Sequence, residues 1–144
     1  AIAGERGVPL ILVPGSSNEL DEETWDLIAA LRIQSVVILG GESTVSTGIE
    51  STLRALPGMT VERIAGTNRF ETSRLLVQSY YSDASQAIVT SGRNFPDALS
   101  GATLASARDA PLYLVEPYCL YRATVLDMIG RSISSMVILG REDS

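Results

Sequence analysis

Short apolar runs alternate along the chain with longer stretches whose apolar residues fall at helical spacing. The runs are residues 8–13, 35–39, 60–64, 87–90, 111–115 and 135–139. Most are continuously apolar and not alternating, the pattern of strands covered on both faces. Between them, residues 20–31, 44–56, 68–81, 96–108 and 121–129 carry apolar side chains at helical spacing, such as Leu27, Ile28 and Leu31. Strand and helix in regular alternation imply βα units. The expected fold is therefore α/β: an open, mainly parallel, doubly wound (Rossmann-like) sheet of about six strands flanked by helices. Two local signals agree. Asn68-Arg69-Phe70-Glu71 has the spacing of a capping box, and Pro96 stands where a first helical turn tolerates proline.

The pattern also repeats. Gly7-Val8-Pro9-Leu10-Ile11-Leu12-Val13 aligns with Asp109-Ala110-Pro111-Leu112-Tyr113-Leu114-Val115 at an offset of 102, and Val37-Ile38-Leu39-Gly40 with Val137-Ile138-Leu139-Gly140 at an offset of 100. Ala3 and Arg6 fall on Ala105 and Arg108, which carries the match upstream of the strand. The retained proline, glycine and spacing favour a true repeat over convergence of similar βα units. The chain then holds about one and a half copies of a ~100-residue unit. Residues 1–57 form the back half of one copy, and 58–144 most of the next, the two folding together as one compact domain.

Composition narrows the chemistry. The chain has no histidine and one cysteine, Cys119, so histidine-based triads, His-rich zinc sites, CxxC motifs and internal disulfides are excluded together. Cys119 has no histidine to activate it and reads as a packed or bystander thiol. All eleven basic residues are arginine, which excludes Schiff-base and P-loop lysine chemistry. The net charge of −6 is uneven: residues 1–60 carry three arginines against eight carboxylates, 61–110 five against five, and 111–144 three against four. No basic stripe exists for a nucleic-acid backbone. The apolar runs are far shorter than the about 18 residues of a membrane span. Residues 1–7 lack the basic start and long apolar stretch of a signal peptide, as expected of a mature or trimmed chain, or of a cytoplasmic one.

The second copy carries Arg63-Ile64-Ala65-Gly66-Thr67-Asn68-Arg69-Phe70-Glu71-Thr72, then Ser91-Gly92-Arg93-Asn94-Phe95-Pro96-Asp97-Ala98-Leu99-Ser100, then Ala110-Pro111-Leu112-Tyr113-Leu114. Together with Val37-Ile38-Leu39-Gly40-Gly41, these motifs resemble the type 2 cell-wall-binding repeats of Gram-positive surface proteins. The resemblance implies a non-catalytic, secreted module at the cell wall, without a cofactor or metal. It also implies attachment to anionic wall polysaccharide of the teichoic-acid kind. Sister repeats or a homo-oligomer are the implied protein partners, in a three-fold arrangement. Two departures stand in the second copy: Arg141 where the family has a second glycine, and Tyr113 in place of an aliphatic residue.

In open α/β sheets ligands gather at the carboxyl ends of the strands, where helix N-termini present free N–H groups. Four loops fall there: Gly40-Gly41-Glu42-Ser43-Thr44, Gly66-Thr67-Asn68-Arg69, Ser91-Gly92-Arg93-Asn94 and Gly140-Arg141. The candidate polymer-binding residues are Arg69, Arg93, Asn68, Ser91, Gly92, Asn94, Gly40 and Gly41. Small residues let a ligand reach the backbone, and arginine can grip a phosphate with two N–H groups. The plainer reading is that Arg63, Arg69, Asp97 and Glu71 form ion pairs that fix the loops. Asp21-Glu22-Glu23 and Glu42 offer the carboxylates an acid–base pair would need, but the cluster reads as a helix cap. Trp25, at helical spacing with Ile28 and Ala29, reads as core. An alternative is a nucleotide- or sugar-phosphate-binding enzyme domain using the Gly40-Gly41 turn.

Overall fold

A computed structural model describes residues 1–93 and 95–140. In chain order the elements are α1 (Ile2–Glu5), α2 (Glu22–Ala30), β1 (Ser35–Leu39), α3 (Thr47–Arg54), β2 (Thr60–Ile64), α4 (Arg69–Tyr80), β3 (Gln86–Ser91), α5 (Phe95–Ala107), β4 (Leu112–Val115), α6 (Arg122–Gly130) and β5 (Ser135–Leu139). The fold is α/β with parallel strands throughout its two sheets. The chain divides into two compact units, one of residues 10–67 and the other of residues 1–9 with the chain from Asn68 onward.

In the first of these, β1 pairs with β2 from Ser35↔Thr60 to Leu39↔Ile64. Leu20, Ile28, Ile38, Ile49 and Leu53 form its core, which Trp25, Val36 and Val61 join from the side. The inward residues of α3, Ile49 and Leu53, stand four apart and close over Ile38 of β1. Helix starts are capped by side chains: Asp21 Oδ1 accepts from Thr24 N at 2.7 Å, and Ser46 Oγ from Ile49 N at 3.3 Å. The acidic cluster at residues 21–23 thus caps a helix, as the sequence suggests.

The other unit has the sheet order β4-β3-β5. Strand β3 is central and buried on both faces, which explains its unbroken apolar run. Ala87 and Val89 look toward Val77, Tyr81, Tyr113, Val115 and Met128, from α4, β4 and α6. Ile88 lies on the opposite face with Ala105 of α5 and Ala110. Tyr81 donates its hydroxyl proton to Glu5, and the Arg6 guanidinium stands 4.6 Å from the Tyr80 ring centre, so α1 is held to this unit by both groups.

The expectation of six strands is corrected to five among the described residues. Residues 8–14 run without regular structure, with Leu10 70% and Leu12 88% exposed. The run has strand composition but no ladder partner. Its sequence counterpart, Leu112–Val115, pairs with β3, whereas no described strand plays that part for residues 8–13. Apolar composition alone does not make a parallel strand, because each residue's N–H and C=O need a neighbour.

Candidate functional site

Parallel pairing puts the carboxyl ends of β3 and β4 side by side, with Ser91 opposite Val115. Past that line the chain turns at Gly92-Arg93 on one strand and at Pro117-Tyr118, just beyond Glu116, on the other. The N-terminus of α4 meets the same edge. Arg69 Nη1 donates to the Gly92 carbonyl at 3.0 Å, and the Phe70 ring packs against Gly92 so closely that an added Cβ would lie 2.5 Å from Phe70 Cε1. Only glycine fits there. Tyr121, which precedes α6, brings its ring centre to 5.8 Å from that of Phe70.

Several polar groups here have defined partners. Asn68 Oδ1 accepts from Phe70 N and Glu71 N, both at 3.0 Å, and so takes two of the first-turn amides of α4. Ser91 is buried, and its Oγ accepts from Arg93 N at 3.2 Å, which orients the turn. Arg93 makes a two-pronged pair with Glu116, Nε to Oε2 at 3.0 Å and Nη2 to Oε1 at 3.1 Å. The Arg93 side chain is 66% exposed. Its pKa is raised by the hydrogen bond and charge of Glu116, so it remains a cation throughout the accessible pH range. Arg69 is also exposed. Five candidate residues, Asn68, Arg69, Ser91, Gly92 and Arg93, are therefore gathered at one sheet edge. Asn94 and Arg141 lie outside the described residues.

Gly40 and Gly41 belong to the other unit and form its own strand-end turn. Gly40 has φ +108, a backbone suited to glycine. Its N–H extends the ladder to Ile64 O at 2.9 Å, and Thr44 N and Val45 N both donate to Gly41 O. Beside them Arg63 is an internal brace. It donates to Glu50 Oε2 at 2.7 Å, Gly40 O at 2.8 Å and Ser46 O at 3.4 Å, with 14% of its side chain exposed. The hydrogen bonds of Arg54 and Arg63 hold the Glu50 carboxyl below its ordinary pKa. The plainer ion-pair reading thus holds for Arg63, and Glu71 pairs with Arg74 at 3.6 Å. Asp97 lies in the first turn of α5, where its Oδ2 is buried and accepts no hydrogen bond from the described residues.

Three features escape sequence reasoning. Glu116 faces Arg93 across 23 positions. Ser73, on α4, donates to Leu112 O at 3.1 Å and accepts from Leu114 N at 3.0 Å, tying the helix to β4. Asp127 gathers Tyr113, Gln78 and Arg131 around one carboxylate. The Tyr113 departure is thereby explained, because its hydroxyl reaches Asp127 Oδ2 at 2.7 Å from a ring that is almost fully buried. Cys119 is exposed. Among the described residues no cluster of side chains fit for a metal ion is found, and no helix is long and apolar enough to cross a membrane.

N-acetylmuramoyl-L-alanine amidase LytC of Bacillus subtilis is 26% identical over 139 residues, which cover 96% of this chain and 27% of that protein. Amidase enhancer of the same organism is 29% identical over 83 residues, covering 58% of this chain and 12% of the relative. Among solved structures, Cwp8 from Clostridium difficile superposes with a TM-score of 0.82 at 28% identity, over 99% of this chain and 24% of that one. Cwp6 from the same organism shares the fold with a TM-score of 0.82 at 22% identity, over 95% of this chain and 22% of its own. The chain thus spans about a quarter or less of the length of these proteins. The signature of Cell wall binding domain 2 (CWB2) matches residues 63–144, more than half of the chain, and the chain belongs to that family.

Proposed function

We propose that this chain is a non-catalytic module that holds a surface protein to anionic wall polymer through the strand-end edge of β3 and β4. One observation carries the reading: two exposed guanidinium groups, Arg69 and Arg93, stand on the same glycine turn, one on its carbonyl and the other within it. A phosphate-bearing polysaccharide would meet both cations. Arg93 already has a carboxylate partner, but its own side chain is 66% exposed and a pair open to water on that side contributes little, so an incoming phosphate can share or replace Glu116. The chain's negative total does not forbid this, since field beyond about 8 Å is screened in physiological salt. The Gly40-Gly41 alternative loses support because the Gly40 amide is already committed to Ile64 O. Family membership supports a place at the cell wall, and sister repeats are the protein partners we propose beside the polymer.

The test is retention on purified walls. Arg69→Ala and Arg93→Ala should each weaken retention while leaving the thermal unfolding midpoint within a degree or two of the parent. Chemical removal of anionic polymer should release the unaltered chain. Equal retention on stripped and intact walls would exclude the polymer as ligand.

A further inference from the structure

Helices α2, α3 and α4 each start on a side chain that accepts from the first turn, supplied by Asp21, Ser46 and Asn68. Helix α6 does not. It starts at Tyr121, which makes no capping bond, although Asp21 fills the counterpart position one hundred residues earlier. A forfeited cap weakens a helix start, so the phenol at this position needs another reason. Core packing is a poor one, because Tyr121 is 42% exposed.

Its surroundings supply a better one. Buried Phe70 touches both sides of the edge: its ring centre lies 5.8 Å from that of Tyr121, tilted by 43°, and its Cε1 fills the space that a Cβ on Gly92 would need. The Tyr121 ring is thereby held one aromatic ring away from the turn on which Arg69 and Arg93 stand. It is also within electrostatic reach of Arg93. After the hydrogen bond and charge of Glu116, the Tyr121 hydroxyl is among the groups that raise the pKa of that guanidinium. The antiparallel bridge between Glu116 and Cys119 folds the chain back just before Tyr121, and so returns it to the β4 end of the same edge. A half-open ring backed by a buried one, and two exposed guanidinium groups, share one strand-end surface.

We infer that Tyr121 is a specificity-determining residue of this edge, its open ring carrying the sugar whose phosphate Arg69 and Arg93 hold. The negative face of an aromatic ring attracts the C–H bonds that line one face of a pyranose, and the phenol hydroxyl stays in water, where it can bond to the sugar's own hydroxyls. An open-chain polyol phosphate of the same charge presents no such flat face and gains from the arginines alone. The edge therefore prefers a phosphate attached to a sugar ring. This rests on the proposed reading of the edge as a phosphate site and adds to it the group that selects what the phosphate is attached to.

The experiment titrates glucose 1-phosphate and glycerol 3-phosphate into the full chain and follows the Gly92 and Arg93 amides by NMR. Glucose 1-phosphate should bind about two- to tenfold more tightly, the range of one aromatic contact. Tyr121→Ala should bring the ratio of the two affinities to about one, and Tyr121→Phe should restore it. On the unaltered chain, Overhauser contacts should join the Tyr121 ring to the sugar protons, a readout that does not depend on any variant folding. A ratio near one in the unaltered chain, a ratio that survives Tyr121→Ala, or the absence of those contacts would overturn the inference while leaving the phosphate site standing. So would an equal loss of both affinities in Tyr121→Ala, since the phenol would then act only through Arg93. If neither compound shifts Gly92 or Arg93, the phosphate site itself fails and the role of Tyr121 falls with it.

Discussion

Replacing Asp127 with alanine tests the packing logic most directly. This carboxylate accepts from Arg131 Nε at 3.0 Å, Arg131 Nη2 at 3.2 Å, Tyr113 Oη at 2.7 Å and Gln78 Nε2 at 2.9 Å. The Asp127 side chain is 5% exposed and that of Arg131 10%. Deletion leaves a guanidinium and a phenol without their acceptor inside the unit. Removing one partner of a buried pair costs about 3–5 kcal/mol, and the stranded hydroxyl is part of that figure and not an addition to it. In a unit of this size each kcal/mol moves Tm by about 4–8 °C, so the fall should be at least about 12 °C by circular dichroism. Acid titration supplies a second readout. Burial pushes the Asp127 carboxyl up, but the hydrogen bonds from Arg131, Tyr113 and Gln78 outweigh it and hold the folded pKa below the ordinary value. A depressed folded pKa means that the stabilisation is fully present above the unfolded value of about 3.9 and disappears as pH falls through the folded value. The unaltered chain should lose stability in that window, and Asp127→Asn should show a flatter acid limb. A loss under about 1 kcal/mol at neutral pH, with the acid limb unchanged, would refute the reasoning.

Gly92→Ala should destabilise by about 1–3 kcal/mol, because its Cβ would meet the buried Phe70 ring; an unchanged urea midpoint would contradict the contact. Ile38→Ala should cost about 2–5 kcal/mol, whereas Ile138→Ala should stay within about 0.5 kcal/mol. Equal losses in chemical denaturation would mean that Ile138 is covered in solution.

The regular elements were legible because their signals are local. Three strands, β1, β2 and β5, match their apolar runs residue for residue, and β3 gains only Gln86 and Ser91. Helix starts were legible for the same reason, since Asn68 caps α4 with an oxygen that reaches amides only two and three positions on. Residues 8–13 misled because a strand is a property of pairs, and the run shows composition without a neighbour. Long-range polar partners left no mark either. Arg131 lies one helical turn from Asp127, but Gln78 reaches that carboxylate across 49 positions, and no spacing rule spans such a distance.

The same limit explains why the sequence could name arginines at strand ends without separating a brace from a grip. Arg63 is the penultimate residue of β2 and Arg93 follows β3, and each meets a carboxylate through Nε at 3.0 Å or less. Burial separates them. Arg63 is 14% exposed and also holds two backbone carbonyls, so removing it would leave the Gly40 and Ser46 carbonyls without that donor and Glu50 with Arg54 alone of its two arginines. Arg93 is 66% exposed with Glu116 as its only partner among the side-chain hydrogen bonds of the described residues, and water can take over what the pair gives up. A guanidinium that can release its carboxylate cheaply is able to exchange it for a phosphate, and one locked into the fold is not. Exposure of the Arg93 side chain, more than the presence of arginine or the net charge, is what singles out the β3–β4 edge in the binding we propose.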